Sequence, residues 1–213
     1  NILSANIITL DKIKEAAVNS LPANLRQRPW TITQRGAAIY DEEVQLDAYL
    51  ASYTDWHKGK LQKAFSKLPK EKPASEINLI DWGCGQGMAS LFFLEYIQKN
   101  NLGCNIREII LIDPCVLAVH RAEFLIHRVN PNIVLRCITK KINDVTKEDV
   151  KTVASRPTYH IFSNVLDLDG IDLKHLSQIL YANSSVVNYI ICVSPYYGQV
   201  NFKIDRFFDY FSH

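Results

Sequence analysis

Ile77-Asn78-Leu79-Ile80-Asp81-Trp82-Gly83-Cys84-Gly85-Gln86-Gly87 is the stretch on which the fold turns. Ile77 to Asp81 read as a short apolar strand. A very apolar helix is predicted over residues 86–98. Between them stand Gly83, Gly85 and Gly87, two residues apart. A residue without a Cβ allows a tight turn and a close approach of backbone to a ligand. The N–H groups that open the following helix favour electron-rich ligand atoms. The dinucleotide fingerprint G-x-G-x-x-G is a different pattern, because its third glycine would fall on Met88. No Gly-Lys-Ser/Thr follows, so a P-loop is excluded.

The same alternation continues downstream. Strands are predicted over 108–113, 133–139, 159–166 and 189–193, and helices over 115–128 and 172–182. Val200, Ile204, Phe207, Phe208 and Phe211 mark a last helix. The strands are nearly continuous apolar runs, as expected where both faces of a sheet are covered. This βαβ pattern predicts an α/β fold with a doubly wound, mainly parallel sheet.

The run from Asp81 to Gly87 resembles the D/E-x-G-x-G-x-G motif of class I S-adenosylmethionine (SAM) dependent methyltransferases, and the resemblance extends over residues 75–213. It implies a Rossmann-like fold with SAM as cofactor and methyl donor. It also implies a cofactor-binding set of Asp81, Gly83, Cys84, Gly85 and Gly87. Asp113 would hold both ribose hydroxyls, since one carboxylate can accept two hydrogen bonds. The alternative role for Asp113 is a helix cap after Pro114. Pro114 belongs to the same implied cofactor-binding set, and Cys115 and Val116 fall where the family packs side chains on adenine. Asp144, beside Asn143, falls where a polar residue holds the adenine amino group; a plain Asx turn is its other reading.

Ser163-Asn164-Val165-Leu166-Asp167 closes the fourth strand. Ligands of open α/β sheets bind beyond the carboxyl ends of the strands. Asn164 is therefore expected at the cofactor and the reacting centre, and Asp167 is either a general base or a cap of the next helix. These are the candidate catalytic residues. The segment departs from the N/D-P-P-Y motif of amino-methylating nucleic-acid enzymes, and it has no Pro-Cys pair for attack on cytosine. Two rival readings follow: a non-catalytic SAM-binding scaffold or sensor, and a nucleotide-binding oxidoreductase domain, which the glycine spacing disfavours.

Upstream, residues 1–74 read as a helical extension or lid. An amphipathic stretch runs from Asp11 to Leu21, Pro22 and Pro29 break it, and a long helix starts near Asp41 with a possible kink at Gly59. Trp56 is expected as a packing anchor and His57 as a surface or capped histidine; the other reading is that the aromatic and nearby cations of a lid stack on substrate or shield the sulfonium. Six lysines and one glutamate lie between Lys58 and Lys72. With Lys140, Lys141, Tyr196 and Tyr197 they motivate a macromolecular acceptor, RNA ahead of a small metabolite, although a net charge of +2 gives it no support.

Hydrophobic residues make up 47% and charged residues 22% of the 213, ordinary for a globular protein. The five cysteines are an odd number with no C-x-x-C pair, which argues against a disulfide framework and structural zinc and for a reducing cytoplasm. No metal-ligand pattern is present, and no run approaches a membrane span of roughly 20 apolar residues. The resembled fold ends in an antiparallel hairpin. Its strands are not found before His213, so further segments of a longer chain are expected to cover the sheet edge.

Overall fold

Alternate side chains of a strand face opposite sides of its sheet, and the first strand shows what that does here. In β1 (Glu76–Trp82), Ile77 and Leu79 enter one hydrophobic cluster while Ile80 and Trp82 enter another. The computed structural model describes residues 9–36, 39–69, 74–182, 186–194 and 202–211. Within them β1, β2 (Asn105–Ile112), β3 (Val134–Ile138), β4 (Thr158–Ser163) and β5 (Asn188–Val193) form one sheet. Its order is β3-β2-β1-β4-β5, and all four pairings are parallel. This is the doubly wound, Rossmann-like α/β architecture.

Helices α1 (Leu10–Ser20), α2 (Ala23–Arg26) and α3 (Glu43–Phe65) precede the sheet. Helices α4 (Met88–Lys99), α5 (Val116–Val129), α6 (Leu173–Ala182) and α7 (Phe202–Asp209) alternate with or follow its strands. One face of the sheet packs on α1, α3, α4 and α5 through Ile13, Phe65, Phe93 and Leu125. The other packs on α6 and α7 through Leu176, Leu180 and Phe207. The N-terminal helices thus share the core of the sheet: Phe65 of α3 lies against Phe92, Phe93 and Tyr96 of α4.

Several boundaries move for local reasons. The second strand starts at Asn105, not Glu108, because Asn105 N–H donates to Ser75 and pairs with Glu76 ahead of a register shift in β1. The fourth strand ends at Ser163, not Leu166, because Asn164 turns to φ +57°, outside the extended region. Helix α3 begins at Glu43, with a capping box between Glu42 and Gln45, and continues unbroken through Gly59. A linker is expected over Pro69 to Ser75, a stretch with two prolines and three charges; residues 70–73 of it lie outside the described residues, as do Pro195, Tyr196, Tyr197 and His213. All five cysteines are free. No described helix is long and apolar enough to cross a membrane.

His160 on β4 is fully buried. Its Nδ1 accepts from Trp82 Nε1 at 3.2 Å, so its proton sits on Nε2 and is shared with Asn188 Oδ1 at 3.1 Å. Burial lowers its pKa from 6.5 to about 4. The unfolded chain therefore protonates first as pH falls. The stability due to neutral His160 is complete above about pH 6.5 and is lost towards pH 4, about 3 kcal/mol in all. Buried carboxylates titrate in the same range with the opposite sign, so the test is differential. In urea unfolding at pH 7 and pH 4.5, the lead of the native protein over His160→Gln shrinks by about 2 kcal/mol at the lower pH.

Candidate functional site beyond the carboxyl ends of the strands

The loop after β1 is held from below by Asp81. Helix α4 has Gly87 at its N-cap, which offers no capping side chain. Asp81 supplies the missing acceptor: its Oδ2 takes hydrogen bonds from Ser90 N at 3.1 Å and Ser90 Oγ at 2.6 Å. Asp81 is wholly buried, and burial raises its pKa to about 6. Cys84 is buried too, its N–H bonded to Ile112 O at 2.9 Å.

Asp113, just past β2, ties the loop to the next helix. Its Oδ2 accepts from Gly85 N at 2.9 Å and its Oδ1 from Cys115 N at 2.8 Å. The Cys115 contact is an Asx turn ahead of α5 and not a cap of it, since Cys115 is itself the N-cap and receives no side-chain cap; burial raises the Asp113 pKa. Each carboxylate oxygen keeps a second lone pair. The glycines at 83 and 85 answer different needs. A Cβ at Gly83 would lie 2.6 Å from Val165 Cγ2, whereas one at Gly85 would meet no atom within 4 Å. Packing requires the first glycine. The second borders open space at the carboxyl edge of β1 and β2.

The second half of the site joins the end of β4 to α3. Asn164 N–H donates to Val193 O at 2.7 Å, which holds the residue in its left-handed conformation. Lys60 Nζ donates to Asn164 Oδ1. An ammonium only donates, so this contact fixes the amide: Nδ2 faces His57 Nδ1 at 2.7 Å. His57 Nδ1 then accepts, and its proton lies on Nε2, 3.1 Å from Tyr49 Oη. Burial, and then Lys60, lower the His57 pKa to about 4, so the ring is neutral at pH 7. Burial lowers the Lys60 pKa as well, opposed by Asp167. Asp167 Oδ1 is buried without a hydrogen-bond partner.

Asp167 does not cap α6. Asp172 does, with Oδ1 accepting from His175 N at 2.9 Å, because the helix begins only at Leu173. Asp144 is exposed in a 3-10 turn and makes no side-chain hydrogen bond among the described residues. Its neighbour Asn143 bridges Gly170 O and Asp172 N. Pro114 is partly buried, Cys115 is buried and bonded to Tyr40 O, and Val116 is 51% exposed. Trp56 is no packing anchor: it is 74% exposed, one residue from His57, which is itself half-buried and not at the surface.

Sequence reasoning missed a second tie between α3 and the loop. Gln86 Nε2 donates to Leu46 O at 2.9 Å, and Arg121 bonds Gln86 Oε1 at 3.3 Å and Asp47 at 2.5 Å. It also missed the rings of Tyr40, Tyr49 and Tyr53, with centroids 6.1 Å and 4.9 Å apart. No short motif signals the first set, because its partners stand far apart in sequence, whereas Tyr49 and Tyr53 share a helical face at i, i+4 spacing.

An open parallel sheet with a glycine loop, two strand-end acids and a polar cluster at its carboxyl edge defines a Rossmann-like domain. No protein-family model and no curated protein sequence matches the chain. Solved structures similar to it include the plantazolicin methyltransferase BpumL in complex with SAH, at 17% identity and a TM-score of 0.44, covering 95% of this chain and 77% of that one. Another is geranyl diphosphate C-methyltransferase from Streptomyces coelicolor A3(2), at 13% identity and a TM-score of 0.48, covering 97% and 74%. A third is a geranyl diphosphate methyltransferase in complex with GPP and sinefungin, at 15% identity and 0.46, covering 93% and 73%.

The two glycines separate stability from binding. A side chain in the left-handed region costs about 1–2 kcal/mol, and overpacking adds about 1–3 kcal/mol. Gly85→Ala is expected to lose the first amount alone, and Gly83→Ala both, in urea unfolding of each variant. Equal losses would show that the space beside Gly85 is filled.

Proposed function

We propose that this chain is a SAM-dependent methyltransferase. The observation that carries the reading is the cradle at Gly85: a backbone turn facing open space, with the Asp113 carboxylate beside it at the end of the adjacent strand. A nucleoside fits this arrangement. The backbone of residues 83–87 approaches it closely, and the remaining lone pairs of Asp113 accept from a ribose diol. Asp81 acts from beneath by holding the first turn of α4, and Cys84 by filling the underside of the loop. Pro114, Cys115 and Val116 would border the base, and Asp144 would take its amino group. Asn164 would face the sulfonium end, with Asp167 as the group nearest to a proton lost by the acceptor.

SAM, when bound, supplies a methyl group activated by its sulfonium. The protein's part is positioning and exclusion of water. Helix α3 serves both through His57 and Lys60, which reach Asn164 from above the sheet edge. An RNA acceptor draws less support from these lysines once they are placed in the fold. Lys58 is paired with Asp11 and Lys140 with Asp149, and Lys60 turns inward to Asn164.

Calorimetric titration with S-adenosylhomocysteine (SAH) tests the reading. Binding in the micromolar range is expected, with none for NAD. Hydrogen bonds to a charged group contribute about 1.5–3 kcal/mol, so Asp113→Asn should weaken binding at least tenfold, and Gly85→Ala should do so by filling the cradle. Unchanged affinity in both variants would refute the site. Transfer of labelled methyl from SAM to cell extract separates an enzyme from a scaffold, since a scaffold binds and transfers nothing.

A further inference from the structure

The polar cluster between α3 and the end of β4 has two charges that its own contacts leave unbalanced. Lys60 carries an ammonium that is half-buried, and its one hydrogen bond goes to a neutral amide oxygen. Among the described residues no carboxylate lies within 4.0 Å of it, although Lys14, Lys58, Lys99, Lys140 and Lys203 all have such partners. Asp167 carries the opposite defect. Its Oδ1 is sealed from solvent and receives no hydrogen bond.

The two charges sense each other, since Asp167 acts electrostatically on both Lys60 and Tyr49, yet they do not pair. Lys203 is the other cation near Asp167. It is spent on the carbonyl oxygens of Asp167 and Leu168 and on the Asp169 carboxylate, which fixes the loop and leaves the Asp167 carboxylate unanswered. Burying a polar group without a partner is costly, and burying a charge more so. Packing cannot explain such a pair.

A ligand that sets an anionic oxygen group on Lys60 and a hydrogen-bond donor on Asp167 balances both. The Asn164 amide joins Lys60 to neutral His57 and adds polar groups but no charge. We propose that Lys60 and Asp167 form the subsite for a small zwitterionic acceptor of the α-amino-acid class, Lys60 taking its carboxylate and Asp167 its ammonium. This rests on the methyltransferase reading. A polyanion such as RNA would satisfy Lys60 and be repelled by Asp167.

Protein saturated with SAH, and the same protein without it, are melted in the presence of each of the twenty common L-amino acids and their methyl esters. At least one amino acid should raise the melting temperature of the saturated protein, and its ester should not. Lys60→Met should abolish that shift, Lys60→Arg should restore part of it, and Asp167→Asn should weaken the binding of that amino acid about tenfold. SAH affinity should be the same in all three variants, which also shows that they fold. The proposal is overturned if no amino acid shifts the melt, or if esters act equally well. It is also overturned if Lys60→Met loses affinity for SAH but not for 5′-methylthioadenosine, since the charges would then serve the donor's own amino-acid end. Absence of any SAH binding, with amino-acid shifts intact in the unsaturated protein, would sink the methyltransferase reading and leave this subsite standing.

Discussion

The bond on which the rest of the structure depends is the one from Ser90 to Asp81. The chain must turn from the middle strand into α4 through three closely spaced glycines, and the helix so begun has no side chain at its N-cap. An acid at the end of the strand accepts the orphan N–H and hydroxyl from below. Strand, loop and helix are thereby locked as one unit while the upper surface of the loop stays bare. The cost is a carboxylate buried with one oxygen unpartnered. Asp113 repeats the device one strand away, its two oxygens joining the loop of β1 to the start of α5.

The fold was legible because parallel strands covered on both faces read as uninterrupted apolar runs, and because glycine spacing constrains backbone geometry directly. Strand ends were less legible. Nothing in Ser163-Asn164-Val165 announces that Asn164 leaves the extended region; the cause is a hydrogen bond to Val193, 29 residues on. The role of Asp167 as a cap was misjudged for a related reason, since Asp172 is an equally good cap and only the loop path decides between them.

The site was legible where it is made of consecutive residues and opaque where it is made by α3. His57 and Lys60 looked like a surface histidine and one member of a solvated lysine face. Helical periodicity marks which residues share a face but not what that face meets. The face in question meets the end of β4, more than a hundred residues away. The Gln86–Arg121–Asp47 tie was hidden in the same way. Burial and charge compensation are properties of the assembled chain, and they distinguish Lys60 from Lys58, two residues before it.

Helix α3 has a division of labour along its length. Leu50, Leu61 and Phe65 anchor it in the core, while Trp56, His57 and Lys60 lie off that anchor. The second group includes the two residues that meet Asn164 at the end of β4. Ligand preference in such a protein can therefore drift through a few substitutions on one helical face, with the sheet and its glycine loop conserved in shape. Selection acting on what the protein recognises would leave its mark on a stretch that carries no recognisable motif at all.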